Sequence, residues 1–311
     1  MPCLHIIHDT FCHAETLRSV VHTCKRAGIE HKVYFLDKAL KDRFGNHSLI
    51  EFTELQEPVE LMGHMREGDK IFFTSYPLPK SFAPGKASAW YGALQDWLWL
   101  LYQPYEVWGI EHLEYGTTPP EWKKLVLTTS PYNPIDSVGV YYQIEGKVDP
   151  QEFQCYLPDP FVVTVGHLQR LQQNVDLAAM KAVRESGYSV VIVGVGGVSY
   201  RRYARKLGIT FPNLEEPELS YILSRAAGVM FSSGKRSMDY IQKISGSFPL
   251  SVQHGKALIC DPAFREAHSL ENTVSPYDVS PDSLARAAAA TPKVEQSQLA
   301  SNESLFTRIM S

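Results

Sequence analysis

The sequence predicts an α/β protein of two successive domains, each built on a parallel, doubly wound sheet. Its 311 residues correspond to two domains of about 150 residues each. Short apolar runs alternate with segments of helical periodicity, which is typical of parallel α/β sheets. Proline punctuation at Pro150, Pro158 and Pro160 separates two such cycles. We therefore predict domains over 1–158 and 159–311, with a ligand-binding cleft between them.

In the first half, strands are predicted where apolar residues run without interruption and helices where they recur every three or four positions. The helix predicted over 15–26 is closed by Gly28, a residue that commonly ends helices. A second, aromatic-rich helix is predicted over 88–101. The predicted strands are 4–8, 31–36, 69–75, 105–110, 125–129 and 138–143.

The second half repeats the alternation up to about Pro262, after which the pattern weakens. Beyond that point only 285–290 has helical character, and the tail from Thr291 is polar. The predicted strands are 161–165, 189–193, 228–232 and 257–260, and the predicted helices are 175–186, 200–207, 216–224 and 246–254.

Charge divides the chain unevenly. The net charge is −4, from 30 Lys and Arg against 34 Asp and Glu, so overall electrostatics do not favour nucleic acid. Residues 1–158 carry a net charge of −6 and all five Trp, whereas residues 159–311 carry +2. An anionic ligand such as a nucleotide is therefore expected in the second half. The Trp residues either bind a partner or fill the core of the first half.

Cysteine usage and hydropathy indicate the cytosol. The five Cys form no CxxC pair, which argues against a disulfide framework or a zinc site and fits a reducing compartment. No apolar run approaches the length of a membrane-spanning helix. The N-terminal residues lack the pattern of a signal peptide.

Two glycine-containing segments of the second half are candidate phosphate sites. Gly194-Val-Gly196-Gly197 follows an apolar strand, although it is not GxGxxG and can equally be a strand-end turn. Small and basic residues from Ser232 precede a helix that begins near Ser245-Gly246-Ser247, and helix N-termini attract phosphate. A solvated loop with a Ser N-cap is the alternative. The candidate residues of this second segment are Lys235, Arg236, Tyr240, Lys243, Ser245, Gly246 and Ser247.

The second half resembles the donor-binding domain of GT-B-fold glycosyltransferases, especially the family-4-type enzymes. The matching pieces occur in the family order over about 161–261. They read Gly166-His-Leu-Gln-Arg170, Ile192-Val-Gly194, Leu207-Gly-Ile209, Glu218-Leu-Ser-Tyr-Ile-Leu-Ser-Arg-Ala226 and His254-Gly-Lys-Ala-Leu-Ile259. The resemblance implies two Rossmann-like domains and a nucleotide-diphosphate sugar, with UDP-sugar favoured, as co-substrate.

The resemblance also assigns roles to matching positions. Arg170 would contact the donor diphosphate, and Gly166 and Gly194 are further candidates for donor binding. The segment Pro212-Asn213-Leu214 would hold the edge of the nucleobase. Family-4-type enzymes retain the anomeric configuration, so the resemblance implies retention.

One departure from the family pattern concerns its paired glutamates. Gln242 and Leu250 stand at those positions, so Tyr240, Lys243 or Ser251 would have to supply the ribose and sugar contacts. This variant resembles a divergent branch that we associate with viral and phage genomes.

Catalytic candidates lie at strand ends of the first half. His8-Asp9 closes the first predicted strand, and Glu111-His112 follows a later one. Imidazole suits general base catalysis because its pKa lies near neutrality, although each His is also an ordinary capping or surface residue. No Asp-x-Asp triplet occurs, which favours metal-independent GT-B chemistry over GT-A chemistry.

The leading hypothesis is a nucleotide-sugar-dependent glycosyltransferase whose acceptor is unknown. One alternative is a non-catalytic nucleotide- or sugar-binding protein. Another is a glycosyltransferase acting on a DNA base, which requires a basic strip. The densest strip is Arg201, Arg202, Arg205 and Lys206, for which a solvated helix face is the simpler explanation. Steep salt dependence of DNA binding would favour the nucleic-acid alternative.

Overall fold

The computed structural model divides the chain into two compact units. It describes residues 2–8, 14–35, 52–55, 58–74, 104–111, 123–126, 157–167, 176–195, 197–212, 214, 216–231 and 247–311. The first unit holds the described residues up to Val126 together with Leu299–Ser311, and the second holds those from Leu157 to Gln298. The boundary predicted at residue 158 stays a prediction, since residues 127–156 lie outside the described ranges.

The first unit is a six-stranded parallel sheet in the order β3-β2-β1-β4-β5-β6. Apolar, β-branched and aromatic residues form its central strands and are buried on both faces, as parallel sheets require. The described elements are β1 Leu4–His8, α1 Ala14–Arg26, β2 His31–Phe35, β3 Phe52–Glu54, a 3-10 helix Pro58–His64, β4 Lys70–Phe73, β5 Glu106–Glu111 and β6 Lys123–Val126.

The second unit repeats that topology, with strand order β12-β11-β10-β7-β8-β9 and only parallel pairs. In both units the first strand lies at the centre and the chain winds outward from it in both directions. The elements are β7 Phe161–His167, α2 Leu177–Glu185, β8 Ser189–Val195, α3 Val198–Leu207, β9 Ile209–Pro212, α4 Glu216–Arg225, β10 Gly228–Met230, α5 Ser247–Gln253, β11 Ala257–Ile259, α6 Pro262–His268, β12 Thr273–Val274 and α7 Pro281–Met310.

Helices α2, α3 and α7 pack on the same face of the second sheet. Met180 and Val183 of α2, Leu207 of α3 and Leu284 of α7 share one core cluster with side chains of the strands. Within α2 and α3 the buried positions recur at helical spacing, so the opposite stripe of each helix is exposed. Among the described helices, none is long and apolar enough to span a bilayer.

The structure confirms most of the predicted elements that fall in its described ranges and adds several that were not predicted. Four short elements were missed: β3, the 3-10 helix, β9 and β12. Helix α6 was also missed, although Asp261 caps it by accepting from the N–H of Ala263 at 2.8 Å. The helix predicted over 88–101 and the strand predicted over 138–143 lie outside the described residues.

The largest correction concerns the tail, which forms the 30-residue helix α7 with Pro292 inside it. Leu299, Phe306 and Ile309 are buried at helical spacing, and the ring of Phe306 lies 5.1 Å from that of Phe72 in β4. These contacts place Leu299–Ser311 in the first unit, whereas the sequence assigned them to the second domain. Packing of the apolar stripe outweighs the polar composition of the tail.

Acid is expected to destabilise the second unit through His254, which directly follows helix α5. Burial, with the nearby charge of Lys256, lowers the pKa of His254 to about 4. The unfolded chain therefore binds more protons below its own pKa of 6.5, and the contribution to stability is lost as pH falls from about 6.5 to 4. Urea unfolding of the His254→Asn variant should show a weaker dependence on pH across this window. An unchanged pH dependence would contradict the assignment.

Candidate active site

The candidate site residues of the first unit lie where its strand order reverses. Strands β1 and β4 are neighbours at this switch point, because the chain winds outward from β1 on one side and from β4 on the other. Ligands of doubly wound folds bind beyond the carboxyl ends of the strands at such points. His8 is the last residue of β1, and Thr74 directly follows β4.

His8 and Thr74 form a buried pair. The Nδ1 atom of His8 lies 2.6 Å from Oγ1 of Thr74, and both side chains are fully buried. The Thr74 hydroxyl also lies 3.3 Å from the carbonyl oxygen of Ile7, and when it donates there it accepts a proton from Nδ1. In that tautomer the lone pair is on Nε2, the atom a general base would use, and Nε2 is itself buried. The ring of Phe35 packs edge-on against His8 at 5.8 Å.

The other catalytic candidates are only partly described. Glu111 ends β5, which is the neighbour of β4 on the side away from β1. His8 and Glu111 both end parallel strands, so they lie at the same carboxyl edge of the sheet. Two strand spacings, or about 10 Å, separate the backbones of β1 and β5. Asp9 and His112 lie outside the described residues.

In the second unit, three predicted donor-site residues form one row across the sheet. Gly166 of β7 pairs with Gly194 of β8, and Gly194 pairs with Pro212 of β9. All three lie at the carboxyl end of their strands. A Cβ atom at Gly166, whose φ is +158°, would meet nothing within 4 Å. The row therefore offers backbone with little side chain, and open space at Gly166, where a ligand can approach closely.

Further donor-site candidates lie near this edge. Leu214 follows β9 and is half-buried, and Ser247 is buried at the start of α5. Helix α3 begins after the glycine loop with Gly197 as N-cap, which has no side-chain capping bond. Arg170, Asn213, Lys235, Arg236, Tyr240, Lys243, Ser245 and Gly246 lie outside the described residues.

A second buried histidine, which sequence reasoning missed, lies toward the amino end of β1. The Nε2 atom of His5 is 3.0 Å from Oδ2 of Asp69, and its Nδ1 is 3.0 Å from the hydroxyl of Tyr34. The backbone N–H groups of Cys3 and Arg66 also donate to Asp69, at 2.7 and 2.8 Å. The network closes the amino end of the sheet and is structural.

The pKa values of this network follow from burial and hydrogen bonding. Burial lowers the pKa of His5 and outweighs the opposing effect of the Asp69 carboxylate. For Asp69, burial raises the pKa, but the hydrogen bonds from Cys3, His5 and Arg66 outweigh it and leave the pKa below its usual value. The network therefore holds a neutral imidazole against an ionised carboxylate at neutral pH.

Metal-binding residues do not cluster in the part of the chain that the structure describes. No group of three or more His, Cys, Asp or Glu residues there could hold an ion. His5 and His8 each use Nδ1 in a hydrogen bond with a hydroxyl.

Thr74 is a residue of the candidate site that sequence reasoning overlooked. It follows the apolar run of β4 and was predicted only as part of a strand. The order of the strands in the sheet, rather than any local motif, makes it a neighbour of His8.

Comparison of the sequence with family models and with curated proteins gives no match. Solved structures do match in fold. HepE from Anabaena, solved with UDP and glucose, has a TM-score of 0.59 at 10% identity, covering 100% of this chain and 99% of its own. BGT of phage T4, solved with UDP and Mn²⁺, has a TM-score of 0.57 at 9% identity, covering 99% of each chain.

A UDP-GlcNAc 2-epimerase from Neisseria meningitidis has a TM-score of 0.50 at 10% identity, covering 96% of this chain and 94% of its own. These similarities, together with the two sheets of identical topology, show that the chain has the GT-B fold with two Rossmann-like units. At such low identity the similarity extends to the fold alone. The fold includes an epimerase as well as glycosyltransferases, so the reaction has to be argued from the residues.

Proposed function

We propose that the protein is a glycosyltransferase that transfers a sugar from a nucleotide-diphosphate sugar, with UDP-sugar favoured, to an acceptor hydroxyl. The observation that carries the proposal is the row Gly166, Gly194 and Pro212 at the carboxyl edge of the second sheet. Here the donor diphosphate would approach the backbone, and Arg170 and Lys243 would neutralise its charge. The helix start at Ser245, Gly246 and Ser247 would add N–H donors.

The first unit would supply the acceptor side of the reaction. In the proposed step, Nε2 of His8, which is buried in this structure and would have to be uncovered when the acceptor binds, takes the proton of the acceptor hydroxyl, whose oxygen bonds to the anomeric carbon. The bond from that carbon to the diphosphate breaks, and the nucleoside diphosphate leaves with the electron pair. Thr74, 2.6 Å from Nδ1, would hold the imidazole in the required tautomer, and cationic and N–H groups of the second unit would stabilise the departing charge.

The stereochemical outcome and the metal requirement of the reaction can both be measured. A base acting directly on the acceptor implies inversion at the anomeric carbon, whereas the family-4 resemblance implies retention. The anomeric configuration of the product distinguishes the two. Transfer that persists after chelation would support the proposed metal independence.

We also propose a cytosolic location, because Cys3, Cys24 and Cys260 are free thiols, all of them buried.

A glycine substitution with a matched control tests the donor site. Gly166→Val should weaken UDP binding at least about tenfold by filling the space over the row. Gly187→Val is the control, because Gly187 also has a positive φ, +90°, with nothing within 4 Å of a Cβ, but lies at the amino end of β8. Both variants should lose about 1–2 kcal/mol of stability from backbone strain, and only the first should lose affinity.

Calorimetry with UDP, GDP and dTDP and their sugars measures that difference. Equal affinity of the two variants for the nucleotide would contradict the placement of the donor. Binding without turnover would favour a non-catalytic sugar-binding protein, and release of an epimerised sugar would favour an epimerase. Transfer to duplex DNA would identify the DNA-base-modifying alternative. The family-4 relationship and the viral or phage origin remain proposals.

A further inference from the structure

Helices α2 and α3 present an exposed surface with an unusual combination of side chains. On α2 the exposed stripe is Leu177, Lys181 and Arg184, and on α3 it is Val198, Arg202 and Arg205, each at i, i+4 and i+7. These residues, together with Lys206, define what we call the α2/α3 face. Each stripe begins with an aliphatic residue and continues with cations.

The α2/α3 face is strongly basic although the chain carries a net charge of −4. The two helices together contain six Lys and Arg residues and a single acid, Glu185, which pairs with Lys181 at 3.5 Å. Arg184, Arg205 and Lys206 make no ion pair with another residue in the described ranges. All three side chains are exposed.

Three of these cations meet at a shallow concavity between the carboxyl ends of the two helices. Arg184, Arg205 and Lys206 line it with Ile209, and its volume is about 540 Å³. Cations in the last turns also offset the helix dipoles, which explains their sign there. That effect does not explain the exposed aliphatic residues on the same stripes.

The aliphatic residues decide between two classes of polyanion. Leu177 is 57% exposed and Val198 74%, which makes them two of the five most exposed large apolar side chains in the described ranges. The sugar-phosphate backbone of a nucleic acid offers phosphates to the cations but no extended apolar region for the aliphatic side chains. The headgroup region of an anionic bilayer accepts both, since cations pair with lipid phosphate while aliphatic side chains enter the acyl boundary.

We propose that the α2/α3 face docks the protein onto an anionic lipid bilayer as a peripheral protein. Docking does not depend on the transfer reaction, because the cations and aliphatic residues lie outside the row Gly166, Gly194 and Pro212. The contact is confined to two helices, so we expect binding to be reversible. Because the cations supply much of the attraction, we expect it to weaken as salt is added.

Vesicle flotation with the full chain tests the proposal. The protein should bind vesicles containing about one-third phosphatidylglycerol and should not bind pure phosphatidylcholine vesicles. The double variant Arg205→Glu/Lys206→Glu should bind the anionic vesicles at least roughly 25-fold more weakly. Arg225→Glu/Arg265→Glu is the matched control, because it makes the same change of charge on α4 and α6, which contribute no residue to the core cluster under α2 and α3, and it should bind normally.

A second pair of variants keeps the test decisive if charge reversal impairs folding. Leu177→Ser/Val198→Ser leaves all cations in place and should weaken binding to anionic vesicles by roughly tenfold. Circular dichroism checks that each variant is folded. Equal binding to neutral vesicles, or an equal loss in the Arg225 and Arg265 control, would overturn the proposal. Duplex DNA binding that needs Arg205 and Lys206 but is unaffected by the Leu177 and Val198 changes, with no vesicle binding, would assign the face to nucleic acid instead.

Discussion

Replacing His8 with glutamine is expected to reduce the rate of sugar transfer by about 10²–10⁴-fold while leaving UDP binding unchanged. Glutamine keeps a buried polar side chain but cannot take a proton from an acceptor. The nucleotide would be held by the second unit, so its affinity should not change. Transfer rates and calorimetry on the same preparation separate the two effects.

His268→Gln is the matched control for this prediction. His268 is also a buried histidine, packed against Phe264 at 4.6 Å, but it ends helix α6 of the second unit. Its replacement should leave transfer within a few-fold of the unsubstituted rate. A folded His8→Gln protein that transfers sugar at the normal rate would remove His8 from the mechanism.

Thr74→Val tests whether the hydroxyl positions the imidazole. Loss of the bond to Nδ1 allows both tautomers, so we expect a smaller reduction, about tenfold, together with a displaced acid limb in the pH–rate profile. Thr74→Ser restores the hydroxyl and should restore both. A uniform loss of rate at every pH, not rescued by serine, would indicate a purely structural role.

The largest expected effect on stability comes from Asp69→Asn. The carboxylate accepts from Cys3, Arg66 and His5, and an amide would turn an NH₂ group toward at least one of these buried donors. Hydrogen bonds to charged groups contribute about 1.5–3 kcal/mol each, and a stranded buried donor adds to the loss. We therefore expect about 3 kcal/mol of destabilisation, measured as the shift in the urea unfolding transition.

Asp261→Asn provides the comparison for Asp69→Asn. Asp261 caps α6 from an exposed position, and asparagine caps helices equally well, so its stability should change by less than about 0.5 kcal/mol. Similar losses in both Asn variants would contradict the buried network.

The pH dependence of stability has a defined sign as well. Because folding lowers the pKa of both His5 and Asp69, their contributions to stability are lost on acidification, below about pH 6.5 for His5 and below about pH 4 for Asp69.

Local sequence patterns were sufficient for most of the described sheet framework. Uninterrupted apolar runs such as those of β1 and β8 are long enough to be predicted as buried strands. The missed strands β3, β9 and β12 have three, four and two residues, too few for a periodic signal. Helix α7 was misjudged because Pro292 and a polar composition conceal an apolar stripe whose partner, Phe72, lies more than two hundred residues earlier.

The candidate site shows the same division between local and long-range information. Gly166, Gly194 and Pro212 were each predicted separately, but only strand register places them in one row. Thr74 carries no motif and gains its significance from the strand order, which brings it to His8 across 66 positions of sequence. His5 was missed because a histidine inside an apolar strand gives no indication of its partner Asp69.

A crystal structure of the protein with a bound UDP-sugar tests the central claim most directly. The account predicts the diphosphate over the row Gly166, Gly194 and Pro212, at the carboxyl edge of the second sheet, and the same crystal would identify the sugar. Density for the nucleotide at the amino edge, for example in the concavity of Arg184, Arg205 and Lys206, would contradict the account. So would a protein that binds none of the UDP-, GDP- or dTDP-sugars.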